Sequence, residues 1–288
     1  MVVIVDLPAV VAASGFPVAA GAGVRVLWQR PGRAVVRVDT DAGPLVVKAS
    51  TDPGAFVTEA AAIGRLRAHG LPVAKVIGHA VGPPAYLVLS WIQGEVLSSE
   101  SPARAQRAAG ALLRRVHAIG PDPHHDGALF PGDSTWDSWM AGWLNSALGW
   151  WAGVAAPGEE KVRRAWVWFH ELAPLLATRG HDLMLFDGRP EHILVAGDDV
   201  AGMIDVAELR TGDAAMDLGV LAVADPALLP GVLEGYQPTT EQRAAFSRLV
   251  PFYTFLRRIS RAEWFQRFGT EDDLTQALAR LSSTEIPT

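Results

Sequence analysis

The chain has 288 residues, of which 49% are hydrophobic and 19% charged, and this suits one large or two smaller compact domains with an ample core. A formal net charge of -6 excludes the strongly basic surface that nucleic-acid binding needs; it either serves solubility or suits a cationic substrate. The absence of cysteine excludes disulfides, thiolate metal sites and cysteine nucleophiles. We see no basic leader and no apolar run of ~18 residues, so we expect a soluble cytoplasmic protein without membrane or nucleic-acid partners, either a monomer or a dimer.

The first third of the chain predicts a small β-rich region. A helical lead-in is expected over residues 8–18, and five later segments alternate or run β-branched between turns of Gly, Pro and Asp. An apolar stripe of Ala62, Ile63 and Leu66, which ends at Gly70, predicts a helix over residues 58–69. The predicted strands are residues 24–29, 34–40, 45–50, 73–79 and 86–92.

The remaining two thirds predict a mainly helical region. It contains helices over residues 102–119, 135–149 and 159–177, a turn-rich loop over 121–133, short strands at 184–186, 193–196 and 201–204, and a helical remainder over 213–281. We therefore predict an α+β fold with two lobes. Residues 1–92 form a small, mostly antiparallel β-rich N-terminal lobe, and residues 93–288 form a larger helical C-terminal lobe.

Two acidic residues follow short apolar segments in the second half of the chain. Asp187 comes after Leu185 and Phe186, His192 lies five residues later, and Asp205 follows a second apolar segment. Kinase chemistry needs this order: one carboxylate accepts the proton of a substrate hydroxyl, a metal ligand lies five residues on, and a second carboxylate holds the Mg²⁺ that bridges the ATP phosphates. The Asp187-Gly188 pair also indicates a β-turn, which is compatible with a catalytic loop.

The roles of the neighbouring residues are less constrained. Arg189 is placed to contact the transferred phosphoryl group. Because Mg²⁺ prefers oxygen ligands, His192 either binds the metal weakly or serves as a hydrogen-bond donor. For Asp205, capping of the following segment competes with metal binding.

A lysine inside an apolar strand supports the same chemistry. Lys48 follows Val46 and Val47, and a buried ammonium is costly unless it is paired. Glu59, at the start of the next helix, is its expected partner, because in kinases a strand lysine contacts the α- and β-phosphates and a helix glutamate orients it. The alternative is a strand-edge lysine that extends into water. The hairpin over residues 30–33 lies where a phosphate-covering loop is expected, but it also suits an ordinary turn.

In their order and spacing these residues resemble the aminoglycoside phosphotransferase family, the antibiotic and small-molecule branch of the protein-kinase-like fold. The resemblance covers residues 24–221 and extends to the family's G-D-P-x-x-D-L motif, which corresponds to residues 212–218. It implies a protein-kinase-like fold in which residues 1–92 bind ATP or GTP, and residues 93–288 carry the catalytic loop and the substrate cleft. It further implies an adenine-binding hinge at Ser90, Trp91 and Ile92, a structural role for His117, Asp213 as a helix cap and Asp217 as a support of the catalytic loop.

The chain departs from the family pattern at three places. Leu185-Phe186 replaces the H-G that normally precedes the catalytic Asp, which predicts an altered scaffold and leaves an inactive variant open. His192 stands where most relatives have Asn, and in this it resembles the macrolide phosphotransferases and one aminoglycoside subfamily. Val206-Ala207 replaces the usual aromatic residue after the metal-binding Asp.

The substrate is constrained mainly by the tryptophans and carboxylates of the helical region. Trp136, Trp139 and Trp143 recur at helical spacing and form either core packing or an aromatic wall for a cation or flat ring. Trp264 is a further candidate of the same kind. The candidate carboxylates for a polyamine are Asp133, Asp137, Glu171, Glu263 and Asp272, of which we favour Asp137 and Glu171.

Three functions remain open at this point. The first is an O-phosphotransferase, using ATP or GTP with Mg²⁺, that inactivates a cationic or hydroxylated antibiotic such as an aminoglycoside, a basic cyclic peptide or a macrolide. The second is a metabolic kinase that acts on choline, homoserine or a sugar. The third is a pseudokinase that binds a nucleotide or a partner without transfer.

Overall fold

The structure, a computed structural model, describes residues 23–82, 84–121 and 135–287. The expected lead-in over residues 8–18, most of the expected loop over 121–133 and the candidate carboxylate Asp133 lie outside the described residues. Within the described ranges, no helix is both long enough and apolar enough to cross a bilayer.

Contacts between residues divide the chain into two compact units. The first unit comprises the described residues up to Leu97 together with Glu191–Leu209, and the second comprises the described parts of Ser98–Pro190 and Arg210–Thr288. Residues 191–209 thus group with the N-terminal strands. The functional assignment of residues 1–92 and 93–288 to a nucleotide lobe and a substrate lobe stays a prediction.

The first unit is built on a five-stranded antiparallel sheet in the order β1-β2-β3-β5-β4. Alternating side chains of the second and third strands form its core, with Ala34, Val36, Val47 and Ala49 fully or almost fully buried. The first hairpin turns at Pro31-Gly32, where Gly32 has a φ of 75° that favours glycine. The elements are β1 (Val24–Arg30), β2 (Arg33–Thr40), β3 (Gly43–Ser50), α1 (Val57–Ala68), β4 (Val76–Ala80) and β5 (Ala85–Ser90).

A second, three-stranded sheet also belongs to the first unit. Its order is β6-β8-β9, formed by β6 (Glu95–Val96), β8 (Ile193–Ala196) and β9 (Asp199–Met203). Gly94 allows the close approach of β6, because a Cβ there would lie 2.8 Å from the carbonyl oxygen of Val195. His192 and Asp205 flank the hairpin β8–β9 in the chain, so the pairing of this hairpin in the sheet helps to position both residues.

The second unit consists of helices around a two-stranded ribbon. The ribbon pairs β7 (Asp182–Met184) with β10 (Arg210–Gly212). The most buried helix is α5, whose residues from Ala214 to Ala222 are all buried and which packs against α7. The helices are α2 (Ala103–His117), α3 (Trp136–Ala155), α4 (Glu159–Leu176), α5 (Ala214–Ala224), α6 (Leu229–Tyr236), α7 (Thr240–Phe268) and α8 (Glu271–Ser282).

The predicted α+β fold, antiparallel strands followed by helices, is confirmed. Each predicted strand and helix within the described residues is present, with ends that shift by a few residues, as at α3, which ends at Ala155 rather than near 149. The strands β6 and β10 were not predicted. They have two and three residues, too few to produce a periodic pattern.

Candidate active site

Lys48 forms the centre of a charged cluster in the first unit. It lies in β3, which pairs with β2 on one side and β5 on the other, and its side chain is almost buried. Its Nζ donates to Oε1 of Glu59 at 2.6 Å and to Oδ1 of Asp205 at 2.9 Å. The expected contact between Lys48 and Glu59 is therefore present, and the alternative of a lysine extending into water is wrong.

The two carboxylates around Lys48 differ in exposure and in electrostatics. Burial raises the pKa of Glu59, and attraction to Lys48 opposes this only in part. Partial burial on its own would raise the pKa of Asp205, but attraction and hydrogen bonding to Lys48, together with the nearby His192 and Arg33, lower that pKa below its ordinary value. Burial would likewise lower the pKa of Lys48, yet the two carboxylates together raise it. At neutral pH the cluster therefore holds a protonated lysine beside an ionised Asp205.

Asp205 is positioned by an unusual backbone conformation. Its φ is 55°, in the left-handed region that few residues other than glycine adopt, although Asp tolerates it better than most. The residue before it, Ile204, donates its N–H to the carbonyl oxygen of His192 at 2.9 Å. Nε2 of His192 lies 3.7 Å from Oδ2 of Asp205, and the Asp205 side chain keeps 46% exposure. The sequence-predicted residues Lys48, Glu59, His192 and Asp205 thus form one cluster within the first unit.

The predicted adenine hinge follows β5. The N–H of Ser90 donates to the carbonyl oxygen of Lys75 at 2.9 Å, and the N–H of Trp91 donates to that of Pro44 at 3.3 Å. Both donors are therefore engaged within the protein. Ile92 packs against Gly202, where a Cβ would lie 2.7 Å from its Cδ1, and the binding of a base by the three hinge residues stays a prediction.

In the second unit, the loop after β7 is held by a buried carboxylate. Asp217, in α5, is fully buried and accepts the N–H of Leu185 at 2.7 Å and that of Phe186 at 2.8 Å. Nε2 of His117 lies 3.1 Å from the same carboxylate, and Nδ1 of His117 lies 3.0 Å from the hydroxyl of Tyr236. The predicted support of this loop by Asp217, and the structural role of His117, are both seen in the hydrogen bonds.

Phe186 precedes Asp187 in a conformation that disfavours its side chain. Its φ is 63°, in the left-handed region, which costs a residue with a Cβ about 1–2 kcal/mol. Its ring packs against Trp143, with ring centroids 5.7 Å apart, and lies beneath two guanidinium groups: the Arg210 carbon is 4.4 Å and the Arg257 carbon 4.8 Å from the ring centroid. Packing of the ring offsets the cost of the backbone conformation.

Two arginines contact the carboxylate of Asp187. Nε of Arg189 lies 3.2 Å from its Oδ1, and a terminal nitrogen of Arg257 lies 3.4 Å from the same oxygen. The Arg257 guanidinium also lies over the rings of Phe186 and Trp143, which restrict its rotation. The carboxylate of Asp187 is therefore held between two guanidinium groups.

Asp187 lines a cavity of about 310 Å³ within the second unit. The loop after β7 contributes Asp187 and Arg189, whereas α5 and α7 supply the remaining walls. The α7 residues 257, 260, 261 and 264 recur at spacings of three and four, so they share one face of that helix. The full lining is Asp187, Arg189, Val220, Val223, Ala224, Arg257, Ser260, Arg261, Trp264 and Phe265.

Comparison with known proteins identifies the family. A family model described as the phosphotransferase enzyme family, APH, matches residues 27–246, more than half of the chain. The chain belongs to the phosphotransferase enzyme family. Among curated protein sequences, no relative matches it.

Solved structures similar to this phosphotransferase include several antibiotic phosphotransferases. The apoenzyme of macrolide 2'-phosphotransferase MphH from Brachybacterium faecium is 17% identical, with a TM-score of 0.67 over 98% of this chain and 99% of that one. The gentamicin complex of APH(2")-IIa is 13% identical, with a TM-score of 0.71 over 99% and 98%. A ternary complex of an APH(4)-Ia mutant with ADP and hygromycin B is 14% identical, with a TM-score of 0.70 over 92% and 95%. At these identities the likeness establishes the protein-kinase-like fold.

The predicted substrate residues of the phosphotransferase separate into two groups. Trp264 lines the cavity that contains Asp187, whereas Trp136, Asp137 and Glu171 are not among its lining residues. Trp136 is buried and donates its indole N–H to the hydroxyl of Tyr253 at 2.8 Å, which indicates a core residue. Asp137 accepts a hydrogen bond from the hydroxyl of Thr135, and Glu171 is exposed. The participation of these three residues in substrate binding stays a prediction.

Two arginines of the cavity were not predicted from the sequence. Arg257 and Arg261 lie four residues apart on α7 and share their helix face with Trp264, which was predicted. Their spacing was visible in the sequence, but no family motif marks it. Only the packing of α7 against the loop after β7 shows that Arg257 reaches Asp187 and that Arg261 lines the same cavity.

The charged cluster of the first unit fits a magnesium ion. Asp205 is ionised and 46% exposed, and Oε2 of Glu59 is buried without a hydrogen-bond partner among the described residues. No group of three or more His, Asp or Glu that could hold a metal ion occurs in the described part of the chain. Mg²⁺ is commonly held by one or two carboxylates together with phosphates and water, so a site with few protein ligands suits it.

Proposed function

We propose that the protein transfers the γ-phosphoryl group of ATP to a hydroxyl of a small molecule. The observation that carries this proposal is the ammonium of Lys48, shared between Glu59 at 2.6 Å and Asp205 at 2.9 Å. This is the arrangement in which a kinase-like lysine is oriented for phosphates beside a metal-binding carboxylate. The assignment of Asp187 to the same reaction rests on the order of the motifs along the chain.

Each residue has one role in the proposed reaction. Lys48 orients the α- and β-phosphates, held in place by Glu59, and the backbone at Ile92 contacts the base. Asp205, with His192, would hold Mg²⁺, which when bound neutralises charge on the phosphates. Asp187 accepts or positions the proton of the acceptor hydroxyl, and Arg189 contacts the transferred group. Catalysis comes mainly from positioning and charge neutralisation.

Two classes of acceptor are compatible with this chemistry. Similarity to antibiotic phosphotransferases supports inactivation of an aminoglycoside, a basic cyclic peptide or a macrolide. A metabolic kinase for a small hydroxylated compound would use the same residues, and the small volume of the cavity, at the lower end of the range for ligand pockets, favours this second class. Growth protection of a susceptible host against a panel of antibiotics separates the two.

A substitution at Asp187 tests the transfer step. Formation of ADP from ATP is measured with a panel of hydroxylated acceptors for the wild type, for Asp187→Asn and for the control Asp199→Asn, which alters an exposed carboxylate. Asp187→Asn is expected to lose transfer and to keep nucleotide binding, measured by calorimetry, whereas the control keeps both. Unchanged transfer by Asp187→Asn would refute the role of this residue, and nucleotide binding without transfer to any acceptor by the wild type would indicate a pseudokinase.

A further inference from the structure

The cavity beside Asp187 carries a surplus of positive charge. Three of its lining residues, Arg189, Arg257 and Arg261, are arginines, and the one carboxylate among the ten is Asp187. The chain as a whole has a net charge of -6, so this concentration of guanidinium groups opposes the overall trend. A polycationic acceptor would meet two more positive than negative charges in this cavity, which repel it.

An adjoining cavity extends the positive surface. It is lined by Arg258, Arg261 and Arg280, with Asp273 as its only carboxylate, and it shares Arg261 with the first cavity. Burial, and in addition repulsion by Arg280, lowers the pKa of Arg258, as expected where like charges are crowded. The surplus is therefore a property of this whole face of α7 and α8.

The arginines of the first cavity divide by what they contact. Arg189 and Arg257 both lie against the carboxylate of Asp187, whereas Arg261 lies one helical turn beyond Arg257, with its guanidinium carbon 5.4 Å from the ring centroid of Phe265. Stacking on an aromatic ring orients the planar guanidinium and leaves its donors directed along the plane. Arg261 lines both cavities, and hydrogen bonds from Thr270 together with the charge of Arg261 lower the pKa of Asp273, so a bound anion would share Arg261 with that carboxylate.

Apart from Ser260, the rest of the lining is apolar. Val220, Val223 and Ala224 of α5 face Trp264 and Phe265 of α7 across a volume of about 310 Å³. A ligand that fills this space needs an apolar or flat part in addition to its charge. Guanidinium groups bind carboxylates and phosphates through two parallel hydrogen bonds.

We propose that the acceptor is a small hydroxylated compound that carries a carboxylate or phosphate group, and that Arg261 binds this anionic group. The identity of the acceptor rests on the proposed phosphotransferase function, but the anion site does not. This replaces the cationic acceptor that the sequence favoured. The aromatic wall at Trp264 then serves the apolar part of an anionic ligand rather than a cation.

The experiment measures binding of charge-matched probes to the full chain by calorimetry. The probes are mandelate, mandelamide and 2-amino-1-phenylethanol, which share a hydroxyl and a phenyl ring and differ in charge, together with inorganic phosphate. The proteins are the wild type, Arg261→Gln and the control Arg243→Gln, which removes an exposed arginine of the same helix. Thermal unfolding of each variant shows that the fold is retained.

We expect mandelate or phosphate to bind the wild type, and mandelamide and the amine to bind at least about tenfold more weakly, the usual effect of losing a charge-assisted pair. Arg261→Gln should remove this preference and Arg243→Gln should keep it. Preference for mandelate over phosphate identifies a carboxylate ligand, and the reverse a phosphate ligand. The proposal is refuted if neither anion binds, if the amine binds as well as mandelate, or if Arg261→Gln binds anions as the wild type does.

A transfer assay with the same compounds separates this proposal from the proposed function. Phosphorylation of the amine or amide in preference to mandelate would overturn the anionic acceptor and retain the phosphotransferase. Charge-dependent binding that responds to Arg261→Gln, combined with no transfer to any acceptor of any charge, would retain the anion site and overturn the phosphotransferase. Preferential phosphorylation of mandelate supports both.

Discussion

Replacement of Asp217 by Asn should weaken the second unit and release the loop before Asp187. The buried carboxylate accepts the N–H groups of Leu185 and Phe186 at 2.7 and 2.8 Å and lies 3.1 Å from Nε2 of His117. Asn has one acceptor oxygen, so its amide nitrogen would face one of the two backbone donors. Loss of a hydrogen bond to a charged group, with a donor left unsatisfied, costs about 2–4 kcal/mol.

This cost is a large part of the stability of a domain, which is about 5–15 kcal/mol. For a unit of this size each kcal/mol lowers the melting temperature by about 2–4 °C, so Asp217→Asn should melt about 10 °C lower. Differential scanning calorimetry measures the change, and Glu100→Gln, which alters an exposed carboxylate of the same unit, is the control. Hydrogen exchange should accelerate at the amides of Leu185 and Phe186. An unchanged melting temperature together with unchanged exchange at these amides would show that Asp217 does not hold the loop.

Three further predictions follow from the same geometry. Alanine usually stabilises a fold more than glycine, but the left-handed backbone at position 186 should reverse this order. The free energy of unfolding of Phe186→Gly should therefore exceed that of Phe186→Ala by about 1 kcal/mol; equal or lower stability of the glycine variant in urea would contradict this. Arg257→Met should lower kcat for transfer about tenfold with little change in KM for ATP, because Asp187 loses an orienting contact, and Arg257→Lys should recover only part of it; a change in the KM for ATP alone would contradict it. Stabilisation by Lys48 is complete below its ordinary pKa of 10.5 and is lost as the pH rises through its raised value. The difference in unfolding free energy between the wild type and Lys48→Met should therefore shrink above pH 10.5, and a constant difference would count against the ion pairs.

The sequence predicted the strands and the pairing of Lys48 with Glu59 because both depend on local patterns. Alternation along residues 34–40 and 45–50 predicted strands, and a lysine in the middle of such a strand needs an anionic partner, which pointed to Glu59. That Asp205 also contacts Lys48, 157 residues away in the chain, could not be derived from periodicity. It follows from how the hairpin β8–β9 packs in the first unit.

The second-unit cavity was less accessible to prediction for a physical reason. Arginines on an amphipathic helix usually face solvent, so Arg257 and Arg261 resembled ordinary surface residues of α7. Trp136, at the start of α3, has the helical spacing that suggested an aromatic wall for a substrate. Its indole N–H instead donates to the hydroxyl of the buried Tyr253. Whether a polar or aromatic side chain lies in a core or in a cavity depends on its tertiary neighbours, which the sequence pattern does not contain.

The missing H-G motif does not by itself indicate an inactive protein. The loop before Asp187 is anchored through backbone N–H groups, which do not depend on the side chain. Leu185 and Phe186 therefore donate to the carboxylate of Asp217 as the His and Gly of the usual motif could. The cost of the left-handed conformation at Phe186 is offset by a ring that holds Arg257 against Asp187. The altered scaffold is better explained as a change of acceptor, because the substituted ring and the arginines it orders lie on the acceptor side of the proposed reaction.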